Sequence, residues 1–69
     1  MNNTKADFQI SMKAARVNAE LTQSDIARLM HVSNKTVNNW ENGKVKPSFA
    51  QLNTYCQIVK VPINRISLP

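Results

Sequence analysis

The sequence predicts an all-α fold, a compact bundle of five short helices in a single domain of residues 1–69. Apolar residues recur at spacings of three and four, which is typical of helices and not of strands. Ser or Thr precedes several of these segments at helix-capping positions, and the one glycine and the prolines lie at segment boundaries. A chain of 69 residues with 42% hydrophobic residues has enough apolar surface for one core.

The first predicted helix runs from about Asp7 to Asn18 and follows a flexible segment of residues 1–6. Helical spacing allows two competing apolar faces for this helix. One is Phe8, Met12, Ala15 and Ala19, and the other is Ile10, Ala14, Val17 and Leu21.

The second and third predicted helices follow after short breaks. Thr22–Asp25 has the form of a capping box, with a hydroxyl first and a carboxylate three residues later. Ser33 is a suitable N-cap for the third helix, which would bury Val37 and Trp40 and end at Gly43.

The fourth and fifth predicted helices complete the bundle. Ser48 and Gln51 form a second capping box. The apolar face of the fourth helix would be Phe49, Leu52, Cys56 and Val59. The position of Tyr55 is left open by this pattern, and Cys56 is interpreted as a small core residue. Pro62 suits the first turn of a fifth helix over Pro62–Ile66.

Composition narrows the function classes. The net charge of +5 and the pI near 9.9 favour an acidic partner. With one Cys and one His, the chain has too few ligands for a zinc finger and no disulfide of its own. It has no phosphate-cradling glycine loop and no evident catalytic set, so we expect neither an enzyme, a metal site nor a cofactor. Without an apolar leader or spanning segment, the expected location is the cytoplasm.

The third predicted helix carries an unusual set of polar residues. Its outward side chains would be Asn34, Lys35, Thr36, Asn38 and Asn39. Asn can form two hydrogen bonds with adenine, Lys can donate to guanine, and Thr can contact a base edge or a thymine methyl group. Three Asn residues are poor for helix stability, which favours a recognition surface over a merely solvated one.

The segments Thr22–Ser33 and Val37–Lys44 resemble the Cro/repressor-type (XRE-like) helix-turn-helix family, and the resemblance extends over about residues 8–66. It implies a lambda-repressor-like DNA-binding domain whose helix-turn-helix unit spans about 22–42. The implied function is a sequence-specific transcriptional regulator, of the kind that controls phage lysogeny, with helix 33–42 in the major groove of a DNA operator.

The resemblance also implies roles for individual residues. Base contacts would come from Asn34, Lys35, Thr36, Asn38 and Asn39. Phosphate contacts would come from Gln23, Ser33, Asn42, Lys44 and Lys46, and Gln23 would also brace the first recognition residue. Arg16 and Glu41 match a structural ion pair of the family, although Arg16 could instead contact a phosphate. His31 replaces the usual glycine of the turn, where positive φ would be less comfortable for His.

Two questions about partners stay open. The same surface could bind another regulator, such as a phage repressor, so that the chain would act as a modulator or antirepressor. An antitoxin is a variant of this alternative. A homodimer could form through the apolar residues Val61, Ile63, Ile66 and Leu68, with DNA half-sites ~34 Å apart. These residues could equally cap the core of a monomer.

Overall fold

The computed structural model describes residues 8–69, and within that range it contains four α-helices. They are α1 (Met12–Asn18), α2 (Gln23–Met30), α3 (Asn34–Glu41) and α4 (Phe49–Val59). Two short parallel strands, β1 (Ile10–Ser11) and β2 (Ile66–Ser67), join the two ends of this range. The helical fold is confirmed. The predicted flexible segment 1–6 and Asp7 lie outside the described residues.

The predicted fifth helix over Pro62–Ile66 is wrong. Pro62 is extended, with ψ of 140°, and only Ile63–Arg65 form a single 3₁₀ turn. Ile66 then enters β2 and lies opposite Ile10 in the parallel pair. The β-branched side chain of Ile66 suits the strand conformation, and strand pairing supplies the backbone partners that a fifth helix would have needed.

The first helix begins later than predicted, at Met12 instead of Asp7. The Ser11 side chain accepts a hydrogen bond from the backbone N–H of Ala14 at 3.0 Å, so the helix is capped there. Within the helix, burial selects Met12 and Ala15 of the first candidate face, which are each 1% exposed, but Phe8 of that face is 60% exposed. Ile10 and Leu21 of the competing face are partly buried against the core from outside the helix. Val17, on the competing face, is 53% exposed.

The predicted capping signals are confirmed in the three helices that follow. Thr22 and Asp25 form a reciprocal capping box at α2, as do Ser48 and Gln51 at α4. Ser33 caps α3 by accepting from the N–H of Thr36 at 3.0 Å. Each cap satisfies backbone donors that the helix itself leaves unpaired. The caps therefore define where α2, α3 and α4 begin, and the short turn 31–33 separates α2 from α3.

The core lies where the four helices meet. Its buried hydrophobic residues are Met12, Ala15, Ile26, Ala27, Val37, Trp40, Tyr55, Cys56, Val59 and Ile66. The inward positions of Trp40 and Cys56 are thus confirmed. Phe49 was wrongly assigned to the core: as the first residue of α4 it is 75% exposed. The helices of residues 8–69 are all too short to cross a membrane.

The apolar residues near the C-terminal end pack on this core. Ile66 is buried, and Val61, Ile63 and Leu68 are partly buried against the core cluster. This packing favours the interpretation in which they cap the core of one chain over their use as a dimer surface.

His31 adopts the left-handed conformation, with φ of 59° and ψ of 42°, at the C-terminal end of α2. A side chain with a Cβ costs about 1–2 kcal/mol there, whereas the larger freedom of unfolded glycine offsets about 0.5–1 kcal/mol. We therefore expect His31→Gly to raise the free energy of unfolding by about 1 kcal/mol in urea denaturation. His31→Ala, which keeps the Cβ, should show no gain. A clear loss of stability in His31→Gly would contradict this account of the turn.

Candidate nucleic-acid interface

The α3 helix divides into a buried side and an exposed polar side. Val37 and Trp40 are 0% and 2% exposed and hold the helix on the core. At about 100° per residue, the side chains on the opposite side are Lys35, Asn38, Asn39 and Asn42. Asn34 and Thr36 lie at the two edges between these sides. The five residues predicted to contact bases therefore share one helix. Lys35 is exposed on the side opposite the core, and Asn38 and Asn39 are half-exposed there.

Two hydrogen bonds hold amide side chains of this surface. Asn34 Nδ2 donates to Ser24 Oγ of α2 at 2.7 Å. Asn42 Nδ2 donates to Asn38 Oδ1 at 3.0 Å, one turn along the helix. Both bonds are exposed. The surface of α3 is therefore partly ordered in the free protein.

The side chain of Gln23, the first residue of α2, turns toward the far end of α3. Its Nε2 donates to Glu41 Oε1 at 3.0 Å. The brace on Asn34, which the family resemblance assigned to Gln23, comes instead from Ser24. The physical reason is that the buried Glu41 carboxylate is a stronger acceptor for the Gln23 amide than a neutral side chain would be. Gln23 retains a second N–H on Nε2.

Glu41 is the only acidic residue of α3, and its side chain is 1% exposed. Arg16 of α1 binds it at two points, through Nε to Oε2 at 2.8 Å and Nη2 to Oε1 at 3.1 Å. Arg16 Nη1 also donates to the Leu21 carbonyl at 3.0 Å. This cluster connects α1, α2 and the end of α3.

The Tyr55 hydroxyl of α4 completes the cluster around Glu41. It lies 2.7 Å from Glu41 Oε2 and 2.8 Å from the Met12 carbonyl oxygen. A hydroxyl has one proton for these two acceptors, and the charged carboxylate is the stronger. Sequence reasoning missed this role, although the spacing of Leu52, Tyr55 and Val59 (three, then four) could have placed Tyr55 on the buried face of α4.

Burial and neighbouring groups shift the pKa values of the ionisable residues in this cluster. Burial works against ionisation of Glu41, but hydrogen bonds from Arg16, Gln23 and Tyr55 outweigh it and lower the pKa of the carboxyl group. The hydrogen bond to Glu41 raises the pKa of Arg16. Burial, followed by the hydrogen bond to Glu41, raises the pKa of Tyr55 well above its usual value. The one carboxylate of α3 is thus neutralised inside the protein and withdrawn from its outer surface.

The loop after α3 carries the predicted phosphate-binding residues Lys44 and Lys46, both exposed. The backbone N–H of Lys44 donates to the Asn39 carbonyl at 2.9 Å, which anchors the start of the loop to α3. Gly43 has φ of 77°, and a Cβ there would lie 3.1 Å from Pro69. Glycine therefore suits both the backbone and the packing at this position.

The acidic residue at the start of α2 is also engaged. The backbone N–H of Thr22 donates to Asp25 Oδ2 at 2.8 Å, and this bond is the main reason that the pKa of Asp25 is lowered. Arg28 adds an exposed contact to Asp25 Oδ1 at 3.2 Å. The helix-turn-helix unit thus has its two carboxylates in structural roles, whereas Lys35, Lys44 and Lys46 are exposed beside the amides of α3.

Comparison with known proteins agrees with this geometry. A family model described as helix-turn-helix matches residues 12–66, which covers all four helices and β2 up to its first residue. No curated protein and no solved structure gives a significant match to the chain. The matched range includes the ion pair, the capped helices and the exposed side of α3. The chain therefore belongs to the Cro/repressor-type helix-turn-helix family, which is a family of DNA-binding regulators.

Proposed function

We propose that this chain is a sequence-specific transcriptional regulator that inserts α3 into the major groove of a DNA operator. The observation that carries the proposal is the outer side of α3, where Lys35 is exposed and the amides are exposed or half-exposed, while the single carboxylate of the helix is buried and ion-paired. An exposed carboxylate there would repel the phosphate backbone. An α-helix with its side chains is about 10–12 Å in diameter, which the major groove, about 12 Å wide, admits.

The chemistry of the side chains on this surface suits base recognition. The amide groups of Asn34, Asn38 and Asn39 each offer donors and an acceptor, the combination that adenine requires. Lys35 can donate to guanine, and Thr36 at the edge can contact a thymine methyl group. The proposed base contacts are therefore the five predicted from the sequence.

Phosphate contacts would come from residues around this helix. Lys44 and Lys46 extend from the loop that follows α3, and Gln23 and Ser33 stand at the N-terminal ends of α2 and α3. Asn42 lies at the C-terminal end of α3. One Nδ2 hydrogen of Asn42 is donated to Asn38, and the other can be donated to a phosphate. These contacts would set the position and the affinity of the protein, and α3 would set its sequence preference.

An alternative proposal, a modulator that binds another regulator protein, has one observation in its favour. Val45 and Phe49 are 49% and 75% exposed beside the lysines of the loop. Exposed apolar side chains of this kind are common in protein contacts. Under this alternative, the purified chain would bind a repressor-like protein and would show no preference among DNA sequences.

The test of the proposal is selection of duplexes from a random pool, followed by fluorescence anisotropy with the selected DNA. We expect Asn38→Ala to reduce discrimination at one base pair by about 1–3 kcal/mol and to leave the others unchanged, because one bidentate contact is lost. Asn64→Ala is the matched control, since Asn64 is an exposed amide in the Ile63–Arg65 turn. Equal sequence profiles for wild type and Asn38→Ala would rule out direct reading by Asn38.

A further inference from the structure

Ser24 has no role in the contacts considered so far except its hydrogen bond to Asn34. It is the second residue of α2, and its Oγ lies 2.7 Å from Asn34 Nδ2, the shortest of the side-chain bonds that join α2 to α3. Asn34 is the first residue of α3 and lies at the edge of the exposed surface. We propose that Ser24 is a positioning residue, which orients the Asn34 amide and thereby sets the base preference at the position that Asn34 contacts.

Gln23, the residue before Ser24, is engaged elsewhere. Its amide is bonded to Glu41 at 3.0 Å, within the cluster that also contains Arg16 and Tyr55. Gln23 is therefore engaged at the C-terminal end of α3, and the contact from α2 to the N-terminal end comes from Ser24. The two neighbouring residues of α2 thus hold opposite ends of the recognition helix.

The hydrogen bond to Ser24 leaves part of the Asn34 amide available for a base. One Nδ2 hydrogen of Asn34 goes to Ser24, while the other hydrogen and the Oδ1 lone pairs can meet a base edge. An unrestrained, exposed Asn would have to lose rotamer freedom when it binds DNA. Immobilising such a side chain costs about 0.5–1.5 kcal/mol, so restraint in the free protein favours the base contact by roughly twofold to tenfold.

The inference rests on the proposed DNA-binding function, but it assigns a residue that contacts neither base nor phosphate in that proposal. Ser24→Ala removes the hydroxyl at an exposed helical position, where Ala is a good helix former and the Thr22–Asp25 capping box is untouched. Ser24→Thr keeps a hydroxyl and serves as the conservative variant. Neither change alters the charge or the core.

The experiment measures the base profile of DNA binding for each variant. We expect Ser24→Ala to lower discrimination roughly twofold to tenfold at the Asn34 base pair alone, and Ser24→Thr to restore it. Ser24→Ala should have no further effect in Asn34→Ala, whereas its effect should add to that of Asn38→Ala. A uniform loss on all sequences, or an unchanged profile, would overturn the positioning role. If wild type itself shows no sequence preference, the proposed function fails as well.

A second measurement needs no DNA and separates the two failures. The side-chain amide of Asn34 should have a high NMR order parameter in wild type and in Ser24→Thr, and a lower one in Ser24→Ala. The Asn38 amide, held by Asn42, should be unchanged and is the internal control. An Asn34 amide that is equally mobile in all three proteins would overturn the inference whatever the DNA result.

Discussion

Replacing Arg16 with Met is expected to lower the free energy of unfolding by about 3–5 kcal/mol, because it leaves the buried Glu41 carboxylate without its charged partner. A domain of this size has a total stability of about 3–10 kcal/mol. The expected loss is therefore about a third or more of the total stability. Urea denaturation followed by circular dichroism measures the loss, since most of the described chain is helical.

The chain supplies a matched control in Arg28, which pairs with Asp25 on the surface and whose side chain is 70% exposed. Arg28→Met should cost less than about 1 kcal/mol, as is usual for exposed ion pairs. Similar losses in Arg16→Met and Arg28→Met would contradict the structural importance that we assign to the buried pair.

The pH dependence of the Arg16→Met effect provides a further check. In wild type, the pKa of Glu41 is lowered in the folded protein, so its contribution is present at neutral pH and is lost as the pH falls through the folded-state value. Without Arg16, burial is opposed only by Gln23 and Tyr55, and the pKa of Glu41 should rise. Acid then neutralises the unpaired carboxyl group. The stability difference between the two proteins should consequently shrink between pH 7 and about pH 4.

The second large effect is expected from removing the two lysines of the loop after α3. Under the proposed function, each lysine neutralises one phosphate and contributes about 0.9 to the slope of log K against log salt. Lys44→Gln/Lys46→Gln should therefore weaken DNA binding roughly 60-fold at about 0.1 M salt and flatten the slope by about 1.8. Because phosphates carry no direct sequence information, the loss should be equal on all sequences.

Lys60→Gln is the matched control for this charge removal. Lys60 is exposed at the C-terminal end of α4, about 16 Å along that helix from the loop. Its replacement should alter neither the affinity nor the salt dependence appreciably. If Lys60→Gln weakened binding as much per charge as the loop variant does, binding would depend on net charge and not on the proposed surface.

Most of the fold follows from local signals in the sequence. The caps at Thr22, Ser33 and Ser48 depend on residues three positions apart, and such short-range patterns are visible in the chain itself. Trp40 and Val37 follow from helical spacing in the same way. The signals that failed were those that depend on distant residues. Ile66 pairs with Ile10, 56 positions earlier, and nothing near Pro62 indicates that pairing.

In the candidate site, too, local features could be predicted from the sequence, whereas contacts between helices could not. The polar composition of α3 and the pairing of Arg16 with Glu41 could be anticipated from the sequence and its family resemblance. The contacts of Tyr55 with Glu41 and of Ser24 with Asn34 could not, because each joins two helices whose relative rotation no local pattern specifies. The prediction that Phe49 lies in the core was wrong for a related reason. Its spacing fits the apolar face, but the first turn of α4 extends beyond the core.

The central claim is that the exposed side of α3 reads DNA sequence. Its most direct test is the ratio of wild-type affinities for a selected duplex and for a scrambled duplex of the same length and composition, measured over a range of salt concentrations. The account predicts tighter binding to the selected duplex by about 10³-fold or more, with log K falling at a slope of about −1.8 or steeper. Equal affinity for the two duplexes, or no measurable binding to either, would contradict it.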